Sequence, residues 1–216
     1  MWVVQRLSAL LRLLFALRRW RSGKFQGIRR SGTQEQQEGH DFPTEPSLLL
    51  ILGGNLEREL ASAAALRGDA GEYSSVTHCL LSSGAASEAA VAKACGLPLD
   101  RVAHDREAVD TLSNFTRTVR WLAMQEMPEE HKCVAVASSR AHLRRAWPVA
   151  VLVLGSHGIA VRKSCCVGDF EGDSSESSWR LVRDVARALI YILTGWEGSE
   201  IAEWVHPSRQ RRRKDD

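Results

Sequence analysis

The sequence contains no CxxC pair and no long uninterrupted apolar run. Its five cysteines are an odd number, and their spacing suits neither a disulfide framework nor a zinc site. Buried, reduced thiols are therefore the default expectation, which fits a reducing compartment. Within residues 1–20 no uncharged stretch exceeds five residues, whereas a transmembrane helix needs about 20 apolar residues. Arg12 also interrupts the apolar region that a secretory signal requires.

Acidic residues are absent from residues 1–34, which hold eight Arg and Lys side chains. The tail 209–216 is also basic, with five basic residues against two acidic ones. Residues 35–208 are left with 16 basic and 24 acidic residues, although the whole chain has a net charge of +3. An acidic body repels phosphate backbones, so we expect no nucleic-acid partner.

The composition is otherwise ordinary for a globular protein. The chain has 216 residues, of which 44% are hydrophobic and 25% are charged. These values exclude wholesale disorder, collagen and a coiled coil, and the length suits one domain with tails.

The two ends and a linker divide the chain into four parts. The Arg-rich, acid-free segment 1–34 has the composition of an organelle transit peptide, for a chloroplast or a mitochondrion. The alternative is a basic helix on a membrane surface or on the domain itself, in a membrane-associated or cytoplasmic protein. Residues 35–47 are typical of a linker, residues 48–196 form the domain, and residues 197–216 form a basic, polar tail.

Strand and helix patterns alternate regularly through the domain. Short apolar runs predict strands at 48–52, 76–81, 101–104, 133–137 and 159–162. Helical patterns lie at 57–66, 87–95, 111–126, 141–154 and 177–193, with apolar residues of the last helix mostly on one stripe. Asp110 or Thr111 is expected to cap the third helix, and Pro148 to kink the fourth. The alternation predicts an α/β, Rossmann-like, three-layer doubly wound domain with a mainly parallel sheet of about five strands.

Small, polar and ionisable residues follow four of the predicted strands. Ligands of open α/β sheets bind beyond the carboxyl ends of the strands, so these residues are candidates for a ligand site. The ligand-binding candidates are Gly53, Gly54, Arg58, Ser83, Gly84, Glu88, Thr111, Asn114, Ser138, Ser139 and Arg145. Each has a plain structural alternative as a turn, a helix cap, a tie between elements or a solvated charge. Their convergence on one edge favours the ligand site.

The chemistry of this set points to an anionic ligand. Helix N-termini with glycine loops favour anions, and Arg145 and Arg58 can clamp phosphate or carboxylate. His142 is the candidate acid or base, with Asp105 as its candidate partner. A Ser139–His142–Asp105 triad can be written, but Ser139 lies in no GxSxG elbow. The carboxylates of Asp105 and Glu88 could hold a divalent cation, but their spacing does not indicate a metal site, so none is assigned.

Four motifs occur in order: ILGG with Arg58, SSG followed by Ser87-Glu88-Ala89, DREAVDTLSNFT from Asp105, and SSRAHLRRA from Ser138. In this order the chain resembles the YdcF-like domain family, which includes bacterial envelope proteins, and most of all its AVDTxxNF-containing branch. The resemblance covers about residues 48–196 and implies a Rossmann-like domain whose candidate site lies on these motifs.

The resemblance transfers the family's motif positions to particular residues. The acidic–Thr–Asn element falls on Asp105, Thr111 and Asn114, and the Ser-Ser…His…Arg-Ala element on Ser138, Ser139, His142, Arg145 and Ala146. The glycine turn falls on Gly53 and Gly54. Two positions depart from the family, since Asn55 replaces a third glycine and Ser113 replaces a glutamate.

What the resemblance implies about activity is limited, because family members differ. One member is associated with S-adenosylmethionine, and others with envelope or lipid-carrier metabolism, so S-adenosylmethionine is a candidate cofactor. A divalent cation is a second candidate, from the carboxylates Asp105 and Glu88 alone. The sequence therefore predicts a domain that binds a small anionic ligand, phosphorylated or nucleotide-like. The alternative is a non-catalytic, membrane-peripheral factor for envelope or organelle assembly, which docks through residues 1–34 and the last apolar helix.

Overall fold

The computed structural model describes residues 45–68, 73–125, 133–165 and 178–197, together with Leu11 and Leu14. The predicted targeting segment lies outside the described residues apart from those two leucines. Most of the linker and most of the tail also lie outside them. The described part covers every strand and helix that the sequence predicts within 48–196.

Strands and helices alternate along the whole described domain. The strands are β1 (Leu48–Leu52), β2 (His78–Ser82), β3 (Val102–Asp105), β4 (Cys133–Ser138) and β5 (Ala160–Cys165). The helices are α1 (Leu56–Gly68), α2 (Glu88–Cys95), α3 (Thr111–Met124), α4 (Arg140–Ser156) and α5 (Ser178–Thr194), and a short 3₁₀ turn covers Leu99–Arg101.

The five strands form one parallel sheet in the order β3-β2-β1-β4-β5. β1 lies at the centre, where Ile51 pairs with Leu81 of β2 on one side and Ala137 of β4 on the other. All five residues of β1 are buried, which explains its continuous apolar sequence LLLIL. The chain fills one half of the sheet first and then crosses to the other half.

Helices cover both faces of the sheet. α1 and α2 pack together on one face, over a core that includes Leu49 and Ile51. α3, α4 and α5 pack on the opposite face, over a core that includes Leu48, Leu50 and Leu52. Successive side chains of β1 thus enter different cores, as the two-residue repeat of a strand requires. The predicted α/β, Rossmann-like, three-layer architecture is confirmed.

Local capping signals explain where two of the helices begin and end. Ser87 caps α2 by accepting a hydrogen bond from the Ala90 amide, and Gly96 ends that helix in the left-handed conformation. Asp110 caps α3 by accepting a hydrogen bond from the Ser113 amide, and Ser113 Oγ accepts one from the Asp110 amide, which completes a capping box. Asp110 is therefore the cap, and Thr111 is the first helical residue.

Helix α5 differs from the predicted single apolar stripe. Its buried residues are Asp184, Ala188 and Ile192, whereas Trp179 and Val182 are exposed. The helix therefore has apolar side chains on both its inner and its outer side. No described helix has the length and apolar character needed to cross a membrane.

The described cysteines and Pro148 fit the expected environments. Cys79, Cys95 and Cys133 are buried and form no disulfide, as the sequence predicts. Helix α4 continues through Pro148 from Arg140 to Ser156, so the proline does not end it. The kink at Pro148 stays a prediction.

Candidate functional site

The candidate site lies at the carboxyl edge of the sheet, where β1 and β4 are neighbours. Ile51 pairs with Ala137 near the end of this strand pair, so the loop from Gly53 and the loop from Ser138 leave the sheet side by side. The chain turns toward β2 after β1 and toward β5 after β4. Such a change of direction opens a crevice, which is where Rossmann-like domains bind their ligands.

The glycine turn after β1 packs directly against the loop after β2. The Gly53 amide donates a hydrogen bond to the Ser82 carbonyl at 2.8 Å. A Cβ atom on Gly53 would lie 2.4 Å from the Gly84 backbone, so no larger residue fits there. Gly54 has a φ of +124°, which L-residues rarely adopt. The two predicted glycines therefore have a structural requirement of their own.

Glu59 fixes this pair of loops, and the sequence analysis did not single it out. Its carboxylate is fully buried and accepts hydrogen bonds from the Gly54 amide at 2.8 Å, the Ala85 amide at 2.9 Å and the Ala86 amide at 2.8 Å. The only sequence signal was an acidic residue in the first turn of a helix after two glycines. Glu59 is thus a positioning residue for the loops that border the crevice.

Arg58 contacts the main chain of the same turn. Its guanidinium Nη2 donates to the Gly53 carbonyl at 2.7 Å, and the residue is buried. The sequence analysis predicted that Arg58 would bind an anion. In the structure its guanidinium helps to hold the glycine turn.

Asn114 joins helix α3 to the end of β2. Its Oδ1 accepts from Ser82 Oγ at 3.0 Å and from Ser83 Oγ at 3.3 Å, and the residue is buried. Ser83 has a positive φ of 53°, and its amide donates to the Asp105 carbonyl at 2.8 Å. A Cβ on Gly84 would meet the Leu81 side chain at 2.5 Å. The structure thus brings Ser83, Gly84 and Asn114 together, where hydrogen bonds connect α3 to the end of β2.

Ser138, Ser139 and His142 lie together at the start of α4. Ser138 Oγ and His142 Nδ1 are 2.9 Å apart and share a hydrogen bond whose direction depends on the histidine tautomer. Ser139 caps the helix, and its Oγ accepts from the His142 amide at 3.3 Å. Both serines are fully buried, while His142 is partly exposed. The imidazole is therefore oriented at the crevice by the residue that ends β4.

The predicted partnership between Asp105 and His142 is wrong. β2 and β1 lie between β3 and β4, so the ends of those strands are about 14 Å apart. The Asp105 carboxylate instead binds Arg117 Nε at 2.8 Å and accepts from the Glu107 amide at 3.0 Å. The Ser139–His142–Asp105 triad is excluded by this strand order, which the sequence did not reveal.

Arg145 pairs with a buried carboxylate that the sequence analysis overlooked. Its Nε lies 3.5 Å from Asp184 Oδ2 of helix α5, and its Nη2 donates to Thr111 Oγ1 at 3.1 Å. Asp184 also accepts two hydrogen bonds from Arg183, at 3.0 and 2.8 Å. Arg145, which the sequence predicts to bind an anionic ligand, is thus paired with the carboxylate of Asp184. Its contacts connect α3, α4 and α5.

A second ion pair lies beside this cluster. Asp110 Oδ2 is 2.8 Å from Arg187 Nη1. Burial would raise the pKa of Asp110, but the Ser113 amide and Arg187 outweigh it and lower the pKa below its usual range. Asp110 is therefore held ionised, and it anchors the start of α3 to α5.

The cation expectation receives no support from the described residues. Glu88 is exposed at the first position of α2, and Asp105 is occupied by Arg117. Within the described part of the chain no group of three His, Cys, Asp or Glu side chains is arranged to hold a metal ion.

The fold and the crevice define a Rossmann-like α/β domain with two helix N-termini and an oriented histidine at its switch point. Comparison of the chain with protein-family profiles, curated proteins and solved structures gives no match.

Proposed function

We propose that the domain binds a small anionic ligand, phosphorylated or nucleotide-like, in the crevice between the loops after β1 and β4. The observation that carries the proposal is the pair of helix N-termini beside the crevice, where α1 begins at Leu56 and α4 at Arg140. A helix N-terminus has a partial positive charge and amides without intrahelical acceptors, so it attracts anions. Two such ends on adjacent strands favour one shared anion site.

The caps of the two helices leave part of each first turn open. Asn55 Oδ1 accepts from the Arg58 amide at 3.2 Å, and Ser139 Oγ accepts from the His142 amide at 3.3 Å. An α-helix leaves four amides at its N-terminus without intrahelical acceptors, and one cap satisfies one of them. The preceding amides of each first turn are the donors that we assign to the anion.

His142 is the residue that we assign to proton transfer if the ligand reacts. Imidazole has an ordinary pKa of about 6.5, so it changes protonation state near neutral pH. Ser138 holds the Nδ1 side of the imidazole ring, and His142 is partly exposed. Arg58 and Arg145 have structural roles in this proposal, because their guanidinium groups contact Gly53 and Asp184.

The resemblance to YdcF-like domains supports the choice of probe ligands. The ordered motifs favour membership of that family, and its members suggest S-adenosylmethionine and phosphorylated carriers. A thermal-shift screen would therefore use ATP, S-adenosylmethionine, a sugar phosphate and a prenyl phosphate, each with and without Mg²⁺. We expect at least one of these probes to raise the melting temperature by mass action.

The variant Asn55→Asp tests the location of the site. Aspartate caps a helix as well as asparagine and suits the helix dipole, so the stability of the unliganded protein should be kept. A carboxylate in the anion site should weaken binding of the active probe by about tenfold or more. Ser87→Asp adds the same negative charge at the cap of α2, so it is the matched control and should bind the probe normally.

Two results would count against the proposal. If Asn55→Asp binds the probe normally, the anion does not bind in the β1–β4 crevice. Equal loss in Asn55→Asp and Ser87→Asp would indicate a general charge effect. His142→Gln then separates binding from chemistry, since it should preserve binding of the probe and abolish any turnover.

A further inference from the structure

Helix α5 exposes a row of large apolar side chains to solvent. We call this row, with the tryptophan just after the helix, the outer face of α5: Trp179, Val182, Ile190, Leu193 and Trp196. Trp179 is 73% exposed and Val182 is 57% exposed, although neither is in a loop. At 3.6 residues per turn the four helical members span an arc of about 80°, opposite the buried residues Ala188 and Ile192. Apolar exposure of this extent on one side of a helix marks an interaction site.

Basic side chains lie beside this apolar row. Arg180, Arg183 and Arg187 fall within the next arc of about 60° on the helix surface. Helix α4, which packs against α5, adds three further arginines, of which Arg140 and Arg144 are exposed. The only acidic residue of the two helices is Asp184, which is buried. Arg183 pairs with Asp184 and Arg187 with Asp110, but the six arginines of the two helices outnumber these two carboxylates. This surface therefore carries net positive charge, although residues 35–208 as a whole are acidic.

We propose that the outer face of α5 docks on an anionic lipid bilayer, with α5 lying in the plane of the interface. Interfacial helices combine an apolar row, often with tryptophan, and arginines that attract anionic headgroups. The helical part of the row, from Trp179 to Leu193, is about 21 Å long, and Trp196 follows just after the end of the helix. Tryptophan prefers the interface between water and lipid, because its ring is apolar and its N–H is polar.

The charge of the surface argues against two other occupants. Residues 1–34 contain eight basic residues and no acidic one, so this segment would meet the arginines of α4 and α5 with like charge. A second copy of the chain would bring the same basic surface to the interface. Like charges repel in both arrangements, whereas an anionic bilayer is complementary.

Co-sedimentation of the full-length chain with vesicles tests the proposal. Vesicles of phosphatidylcholine alone are compared with vesicles that also contain phosphatidylglycerol. We expect binding to the anionic vesicles to be stronger by about tenfold or more, and to weaken when salt is added.

Paired substitutions locate the binding surface. The double variant Trp179→Ser, Leu193→Ser should weaken binding to anionic vesicles by about tenfold or more, because both side chains would otherwise leave water. The matched control is Leu99→Ser, Met124→Ser, which removes two side chains that are 56% and 74% exposed elsewhere. That control should bind like the unmodified chain. Any contribution from residues 1–34 is the same in all these proteins and cancels in the comparison.

Charge reversal gives an independent measurement. Arg180→Glu should weaken binding several-fold, whereas Lys93→Glu on exposed α2 surface should have little effect. The proposal is overturned if the chain does not bind anionic vesicles. It is equally overturned if the double variant Trp179→Ser, Leu193→Ser binds them as tightly as its control. It is also overturned if that variant turns a dimer into a monomer in sedimentation and leaves vesicle binding unchanged, since the face would then join two copies.

Discussion

At the scale of single residues, the carboxyl edge depends on internal pairs of side chains. Glu59, Asn114 and Asp184 are buried and connect segments that are far apart in sequence. The hydrogen-bonding groups of these side chains are engaged with partners inside the protein. The edge is therefore held in one shape before any ligand arrives, which lowers the entropic cost of binding.

Replacement of Glu59 tests this view of the edge. Glu59→Gln replaces one carboxylate oxygen with the NH2 group of a carboxamide, so at least one of the three backbone amide donors loses its acceptor. Hydrogen bonds to charged groups contribute about 1.5–3 kcal/mol each, so we expect a loss of about 2–3 kcal/mol in the free energy of unfolding. Urea denaturation would measure it. Glu57→Gln, an exposed position in the same helical turn, should change stability by less than about 0.5 kcal/mol.

The sequence places the candidate residues after particular strands but does not show their partners. It placed Ser138 and His142 beyond the same strand, and the structure joins them because they lie four residues apart across a helix start. It did not find Asp184 or Arg117, because helical spacing shows which face a residue is on and not which neighbour it meets. The pairing of Asp105 failed for the same reason, since it depended on the strand order.

At the scale of elements, α4 carries an internal cost that can be removed. Pro148 lies inside the helix and has no N–H to donate to the Arg144 carbonyl. Pro148→Ala should raise the free energy of unfolding by about 1–2 kcal/mol, because part of the roughly 3 kcal/mol helix penalty is offset by a less restricted unfolded chain.

Pro98 is the matched control for this change. It lies before the 3₁₀ turn with a φ of −60°, which suits proline, so Pro98→Ala should lower stability by up to about 1 kcal/mol. Thermal and urea unfolding would measure both variants. A Pro148→Ala protein that is no more stable than the original would mean that α4 accommodates the proline without strain.

The elements were predictable wherever local chemistry decides them. β1 and α2 follow from an apolar run before two glycines and from the Ser87 cap and Gly96 stop. The sequence predicts that β2 begins at residue 76, but it begins at His78. The Thr77 amide just before it donates a hydrogen bond to the Ser47 carbonyl, which precedes β1. The sequence predicts one main apolar stripe on α5, because periodicity cannot distinguish an inward apolar stripe from an outward one.

At the scale of the whole molecule, the two cores share one strand. Leu50 belongs to the core under α3, α4 and α5, and Leu49 belongs to the core under α1 and α2. Loss of either core would expose one side of β1, so the two halves should not unfold separately. We therefore expect one cooperative transition.

Two probes on opposite faces would check this cooperativity. In a variant whose other five tryptophans are replaced by phenylalanine, tryptophan fluorescence reports on α3 and α4, which carry Trp121 and Trp147. Labelling of the buried thiols Cys79 and Cys95, quantified by mass spectrometry, reports on the face of α1 and α2. The midpoints in urea should coincide, and a thiol transition at clearly lower urea would show that the faces unfold independently.

The architecture was predictable from alternation, but the strand order was not. Strands alternating with helices imply parallel strands with crossovers, and that prediction is confirmed. The strands are short, and although β3 (VAHD) and β5 (AVRKSC) contain polar residues, these patterns alone do not give the order of the strands. The order is set by how the helices share the two faces, which is a property of the assembled molecule.

The central position of β1 also has a consequence for synthesis on the ribosome. β1 is made before its second neighbour, β4, which begins about 80 residues later. At translation rates of about 5–20 residues per second, one edge of LLLIL waits roughly 4–16 s for its partner. During that time β2 and β3 can pair on the other edge, but the strand that completes the sheet is still unmade. The nascent chain thus carries its most apolar strand as an open edge, and chaperones that bind extended apolar segments would meet it there.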